Sequence, residues 1–191
     1  HPIPVRHGMT LGELAMMLNG EGWLLDGAKA NLKVIKYDGE PNQTDSKEAF
    51  NPPPSPNMQD LETAWLYQGL CLLEGTNLSE GRGTNLPFTL FGAPWLDNKT
   101  LVDKLQQYNS RGDKYEITSF TPQSIPAAKY PKYEGEECKG IRIITLNNPL
   151  IWTMHLLQIV YEQHPEQFRF QETNFIDKLY GSDKLRLSIQ K

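Results

Sequence analysis

Cysteine is scarce, with only Cys71 and Cys138 in 191 residues. That excludes a disulfide-dense scaffold and any zinc site made of four cysteines from this chain. The two could form one bridge or stay as buried thiols, which behave as small core residues. Long apolar runs are missing as well, since none approaches the roughly 18 residues needed to cross a bilayer. Basic charge is not in excess: 19 Lys and Arg face 23 Asp and Glu, a formal net charge of −4. The cations are scattered rather than gathered into a stripe that would track phosphates, so nucleic acid is not an expected partner. The four histidines are dispersed and form neither an HExxH nor a paired His/Cys motif, so no metal and no cofactor is expected. There is no GxGxxG and no Walker loop, and Ser79 does not sit in a G-x-S-x-G elbow.

What is present describes a globular chain: hydrophobic residues make up 38% and charged residues 22%. The length suits one sizeable domain spanning residues 1–191. Its first residue is His1, and neither a charged nor an apolar leader segment follows, so a targeting signal would lie upstream.

The chain opens with a Pro-rich entry carrying Arg6 and His7 to a helix start, where Thr10-x-x-Glu13 has the form of a capping box. Leu11, Leu14, Ala15 and Leu18 share one helical face. A position just before a helix N-terminus favours anions, so His7 and Arg6 could flank a bound carboxylate or phosphate; a histidine that only caps or packs is the plainer alternative. Residues 32–37 (LKVIKY) read as a short strand, and Asn51-Pro-Pro-Pro-Ser-Pro56 as a stiff extended connection delivering Asn57 to the next helix. From Asp60 to about Leu73 the spacing predicts a helix with Leu61, Ala64, Trp65, Gln68, Cys71 and Leu72 inward. Later helices are expected from Asp97 or Thr100 to Tyr108, from Asn148-Pro149 to Gln163, from Phe175 to Tyr180, and again after Ser182. Residues 115–120 and 140–146 read as strands, the second central and covered on both sides. The resulting class is mixed α/β (α+β), a small mixed sheet with several flanking helices.

Between the second helix and the third lies Glu74 to Trp95, EGTNLSEGRGTNLPFTLFGAPW. Two carboxylates, an arginine, amides, hydroxyls and glycines occur here without a helical or strand period, which suits either a surface loop or a pocket wall. Paired acids are the usual apparatus of glycoside hydrolysis. Fully extended, Glu74 and Glu80 would stand roughly 20 Å apart, so they cooperate only if Gly75 to Ser79 folds back. Glu80 and Arg82 would share a side of an extended segment, as a salt bridge or as a ligand-binding pair.

Three stretches, PIPVRHGMTLGELA at residues 2–15, PPSPNM at 53–58 and LLEGTNLSEGRGTNLPFTLFGAPW at 72–95, closely resemble the NamZ family of exo-β-N-acetylmuramidases. Phe120-Thr-Pro, Cys138-Lys-Gly and 177–189 fit as well, so the resemblance runs over essentially the whole chain. It implies part of a bacterial cell-wall-recycling glycosidase that releases N-acetylmuramic acid from the non-reducing ends of peptidoglycan fragments. A non-catalytic module that binds muropeptides and completes a neighbour's cleft is the alternative. The family's architecture implies that this chain is the α/β C-terminal domain of a two-domain enzyme, clipped at both ends, whose Rossmann-like N-terminal domain is absent here. It also implies an extracytoplasmic location, where peptidoglycan is. Carried over residue by residue, it makes Glu80 and Glu74 the catalytic candidates. Arg6, His7, Asn57, Asn77, Arg82 and Trp95 become candidates for substrate binding. Trp95 would stack on a sugar or, alternatively, anchor the loop from within.

Overall fold

The computed structural model describes residue 3 and residues 7–36, 53–58 and 60–191. By their contacts the residues fall into two compact units, 1–49 and 50–191, where composition suggested one domain. The sequence expectation for Arg6 lies outside the described residues, as does Tyr37.

In the first unit, helix α1 (Leu11–Gly20) begins at the expected capping box: the Glu13 N–H donates to Thr10, and the Thr10 N–H donates back to the Glu13 carboxylate at 2.8 Å. That exchange satisfies two of the backbone donors every helix start leaves open. The short strand expected from residue 32 does not form over 32–36, which carry no ladder and are exposed. Alternating apolar residues make a strand only where a partner edge accepts their hydrogen bonds, and none is present here among the described residues.

The second unit holds a three-stranded antiparallel sheet in the order β1 (Leu90–Ala93), β3 (Cys138–Thr145), β2 (Lys114–Phe120). Strand β3 is central, as expected, but its burial is one-sided: Ile141 and Ile143 are buried whereas Arg142 and Ile144 are exposed. β1 lies inside the stretch read as aperiodic; its four residues are all buried, so no alternation marks it.

Helices α2 (Leu61–Leu70) and α4 (Pro149–Gln163) pack together over the core, and α3 (Asn98–Leu105) packs against α4. Asp60 caps α2 by accepting from the Thr63 N–H at 2.7 Å. The buried face of α2 is Thr63, Leu66, Gly69 and Leu70, rotated from the expected one, and Leu61 is exposed. Gly69 is the reason: a Cβ there would stand 2.1 Å from the Pro149 carbonyl oxygen, so α4 can begin against α2 only along the glycine side. Helix α4 buries Trp152, Leu156, Leu157 and Val160, and Leu150, Met154 and Tyr161 are partly covered. His155 sits at the boundary, stacked on Tyr108 with ring centroids 4.0 Å apart. Two short helices, α5 (Phe175–Tyr180) and α6 (Lys184–Ile189), close the chain with Gly181 at φ 86 between them. They are tied by Arg186 to Asp177 at 2.7 Å. Both cysteines are free thiols, and burial pushes Cys71 up to about 11 and Cys138 up to about 12. Among the described residues no helix is long and apolar enough to cross a membrane.

Candidate active site

Helix α2 runs into a tighter helical turn at Cys71–Gly75, which turns the chain back so that Thr76 bridges Phe170 and Ser79 bridges Gly92 of β1. The Ser79 N–H donates to the Gly92 carbonyl at 2.8 Å and the Gly92 N–H returns the bond at 3.0 Å. This is the fold-back that lets Glu74 and Glu80 converge. A second knot follows: the Phe88 N–H donates to the Glu80 carbonyl at 2.8 Å, the Thr84 hydroxyl to Gly81 at 2.6 Å, and Phe88 takes φ 59.

The two carboxylates meet on one guanidinium. Arg82 Nη2 donates to Glu74 Oε2 at 2.5 Å, and Arg82 Nε stands 3.7 Å from Glu80 Oε1. The second distance is an ion contact rather than a hydrogen bond, and Nε is buried with no hydrogen-bond partner. The guanidinium carbon lies 5.2 Å from the centre of the Phe88 ring, within cation–π range, and Phe88 meets Tyr67 edge-on. Tyr67 donates its hydroxyl proton to Glu74 Oε1 at 3.2 Å; burial, then the nearby Glu74 charge, pushes the phenol up to about 12, so it stays a donor. Glu80 is nearly inaccessible at 4% exposure, whereas the Arg82 side chain is 36% exposed.

Lys132 completes the cluster and went unnoticed in the sequence. Its Nζ lies 2.8 Å from Glu80 Oε2 and 2.9 Å from the carbonyls of Leu73 and Leu78. The Pro- and Lys-rich segment between β2 and β3 carries no periodicity, so no local pattern marks one of its lysines as half-buried and ion-paired.

The other candidates are placed elsewhere. Asn77 spends its amide on structure, donating to Gln167 at 2.8 Å and accepting from the Arg169 N–H at 2.9 Å. The Trp95 indole N–H donates to the Tyr133 hydroxyl at 3.0 Å and its ring meets His164 edge-on. Asn57 donates to the Ala127 carbonyl at 3.0 Å and lines a cavity of about 420 Å³ with Thr63, Asn85, Thr89, Arg142 and Ile143; neither carboxylate lines it. His7, in the first unit, accepts from the Met9 N–H at 3.1 Å through Nδ1. Among the described residues no group of three His, Cys, Asp or Glu side chains is arranged to hold a metal ion.

Residues 65–191 match the family model described as the C-terminal part of exo-β-N-acetylmuramidase NamZ. The chain belongs to the NamZ family. Residues 1–62 match the N-terminal model of the same family, which corrects the expectation that nothing of the N-terminal domain is present. A curated relative, peptidoglycan β-N-acetylmuramidase NamZ of Bacillus subtilis (strain 168), is 34% identical over all of this chain and 45% of its own length. Two solved structures of DUF1343 family proteins from Bacteroides fragilis NCTC 9343 are also similar. One is 35% identical with a TM-score of 0.71, and the match covers 99% of this chain and 49% of that one. The other, at 24% identity and TM-score 0.77 over 99% of this chain and 50% of that one, supports the fold alone. The chain thus spans about half the length of the relatives it matches.

Proposed function

We propose that this chain is part of a peptidoglycan exo-glycosidase that releases N-acetylmuramic acid from non-reducing ends, with the Glu74–Arg82–Glu80 cluster on its substrate side. Membership of the NamZ family and the muramidase activity for which the Bacillus relative is named support the reaction class. The observation that carries the site is the convergence of two carboxylates on one half-exposed guanidinium. N-acetylmuramic acid differs from N-acetylglucosamine by a lactyl ether bearing a carboxylate, and a planar guanidinium reads a carboxylate better than a point charge does. Of the two acids, Glu74 is the more accessible, its side chain 14% exposed against 6% for Glu80. Peptidoglycan lies outside the cytoplasm, and the same proposal places the protein there.

One observation favours the second reading, a non-catalytic module that completes a cleft. Both carboxylates are occupied by cations of their own chain, and Glu80 by two of them. Glu80→Gln in the full-length protein decides between the two. A group taking part in proton transfer should cost roughly 10²–10⁴ in turnover of a chromogenic muramide with binding retained. Unchanged turnover removes Glu80 from the mechanism and leaves the module reading.

A further inference from the structure

The irregular segment between β2 and β3 is laid across the loop that carries the two carboxylates. The Gln123 N–H donates to the Gly83 carbonyl at 2.9 Å, and a Cβ on Gly83 would meet the Pro131 ring at 2.7 Å. Tyr133 receives the Trp95 indole proton at 3.0 Å. Between these two attachments sits Lys132. An ammonium has three protons to donate, and three oxygens surround this one: Leu73 and Leu78 carbonyls and the Glu80 carboxylate.

The backbone on both sides of Lys132 is in the left-handed region, with Tyr130 at φ 54 and Tyr133 at φ 57. For a residue with a Cβ that region is strained, and it persists where the surroundings over-determine it. Ring burial does not account for Tyr130, which is 86% exposed. What the two turns do deliver is Pro131 against Gly83 and the Lys132 ammonium against Glu80. Two strained residues thus bracket one half-buried ammonium set against the loop that holds both acids.

We infer that Lys132 is a positioning residue for the glycosidase site: it holds Glu80, and through Glu80 the Nε side of Arg82, in the geometry the site uses. The inference rests on the reading of Glu74, Arg82 and Glu80 as that site. Lys132 itself faces carbonyls and a carboxylate and is not assigned a reacting role.

Lys132→Met, Lys132→Arg, Glu80→Gln and the double variant Lys132→Met/Glu80→Gln, made in the full-length protein, test it. kcat and KM on a muramide substrate are measured below the unfolding midpoint of every variant. A displaced catalytic group costs up to about 10²-fold in rate. The expected result is a kcat about 10- to 100-fold lower for Lys132→Met with KM within about threefold, partial recovery in Lys132→Arg, and a double variant no slower than Glu80→Gln alone. Wild-type kcat in Lys132→Met beside a crippled Glu80→Gln overturns the inference, since Lys132 then contributes only to stability. Wild-type kcat in Glu80→Gln marks the failure of the site reading itself. If Lys132→Met does not fold because it strands the Glu80 charge, the double variant, which removes both charges together, carries the comparison. A double variant tenfold slower than Glu80→Gln then overturns positioning through Glu80.

Discussion

Arg82 is the one member of the charge cluster that combines two anionic neighbours with substantial exposure. Its Nη2 edge is committed to Glu74 and its Nε edge faces Glu80, while Phe88 supports the plane from within. A lysine at this position keeps the charge but loses the fork, so it can neither bridge two carboxylates nor present a second edge to a ligand. Charge-assisted hydrogen bonds are worth about 1.5–3 kcal/mol, roughly 10- to 100-fold in affinity. Arg82→Lys is therefore expected to weaken binding of a muramide by about that factor and binding of the matching glucosaminide much less, as read by isothermal titration. Equal losses on both sugars would make Arg82 a structural arginine. The sequence brought Glu74, Glu80 and Arg82 forward because they cluster within one short span. It also named Asn77 and Trp95, whose polar atoms turned out to be consumed by partners about 90 and 38 positions away. Nothing local in a sequence records such distant partners.

At the scale of elements, caps were legible and the buried face of α2 was not. Thr10 and Asn148 cap the helices expected of them, and where two residues offered themselves, Asn57 or Asp60 and Asp97 or Thr100, the caps are Asp60 and Asp97, because a cap is a contact over three residues. The face a helix buries depends on what lies beyond it. On α2 the apolar positions offered more than one stripe, and the choice fell to Gly69, where α4 starts too close for any side chain. Strand β1 was hidden for a related reason: a fully buried strand shows no alternation, and its Gly92 reads as loop freedom although it faces Gly140 across the ladder. Gly69→Ala tests the contact. Alanine improves helix propensity by about 1 kcal/mol, yet its methyl would meet backbone that has no rotamer with which to give way. Overpacking of that kind costs about 1–3 kcal/mol, and a rigid backbone neighbour puts it at the upper end. The expected net result is a loss of about 2 kcal/mol, seen as a thermal midpoint lower by about 4–8 °C. A midpoint at or above wild type would show that α4 can slide away from α2 at little cost.

For the molecule as a whole, the buried core among the described residues belongs to residues 66–189, and its stability should carry the signature of the titrating groups set into its edge. His164 is the clearest of these. It closes the C-terminal end of α4, its ring meets Trp95 edge-on at 5.2 Å, and its Nε2 accepts the Asp97 N–H at 3.3 Å. Burial lowers its pKa, with the nearby Asp97 charge opposing the shift, and protonation at Nε2 would also remove the acceptor that the Asp97 N–H uses. A folded-state value below the unfolded one means that the unfolded chain takes up the proton first. Stability from this group is then fully present above about pH 6.5, the ordinary histidine value, and is lost as the pH falls through the lower folded value. Asp97, held low mainly by the Thr100 hydroxyl and N–H, contributes with the same sign but at more acidic pH. The two contributions therefore separate along the pH axis. Thermal midpoints measured from pH 8 to pH 5 should fall in the wild type and fall less steeply in His164→Gln, whose amide oxygen can still accept from Asp97 but takes no proton. Parallel slopes would place the pH dependence in other groups and would mean that the α4 terminus tolerates an imidazolium beside Asp97.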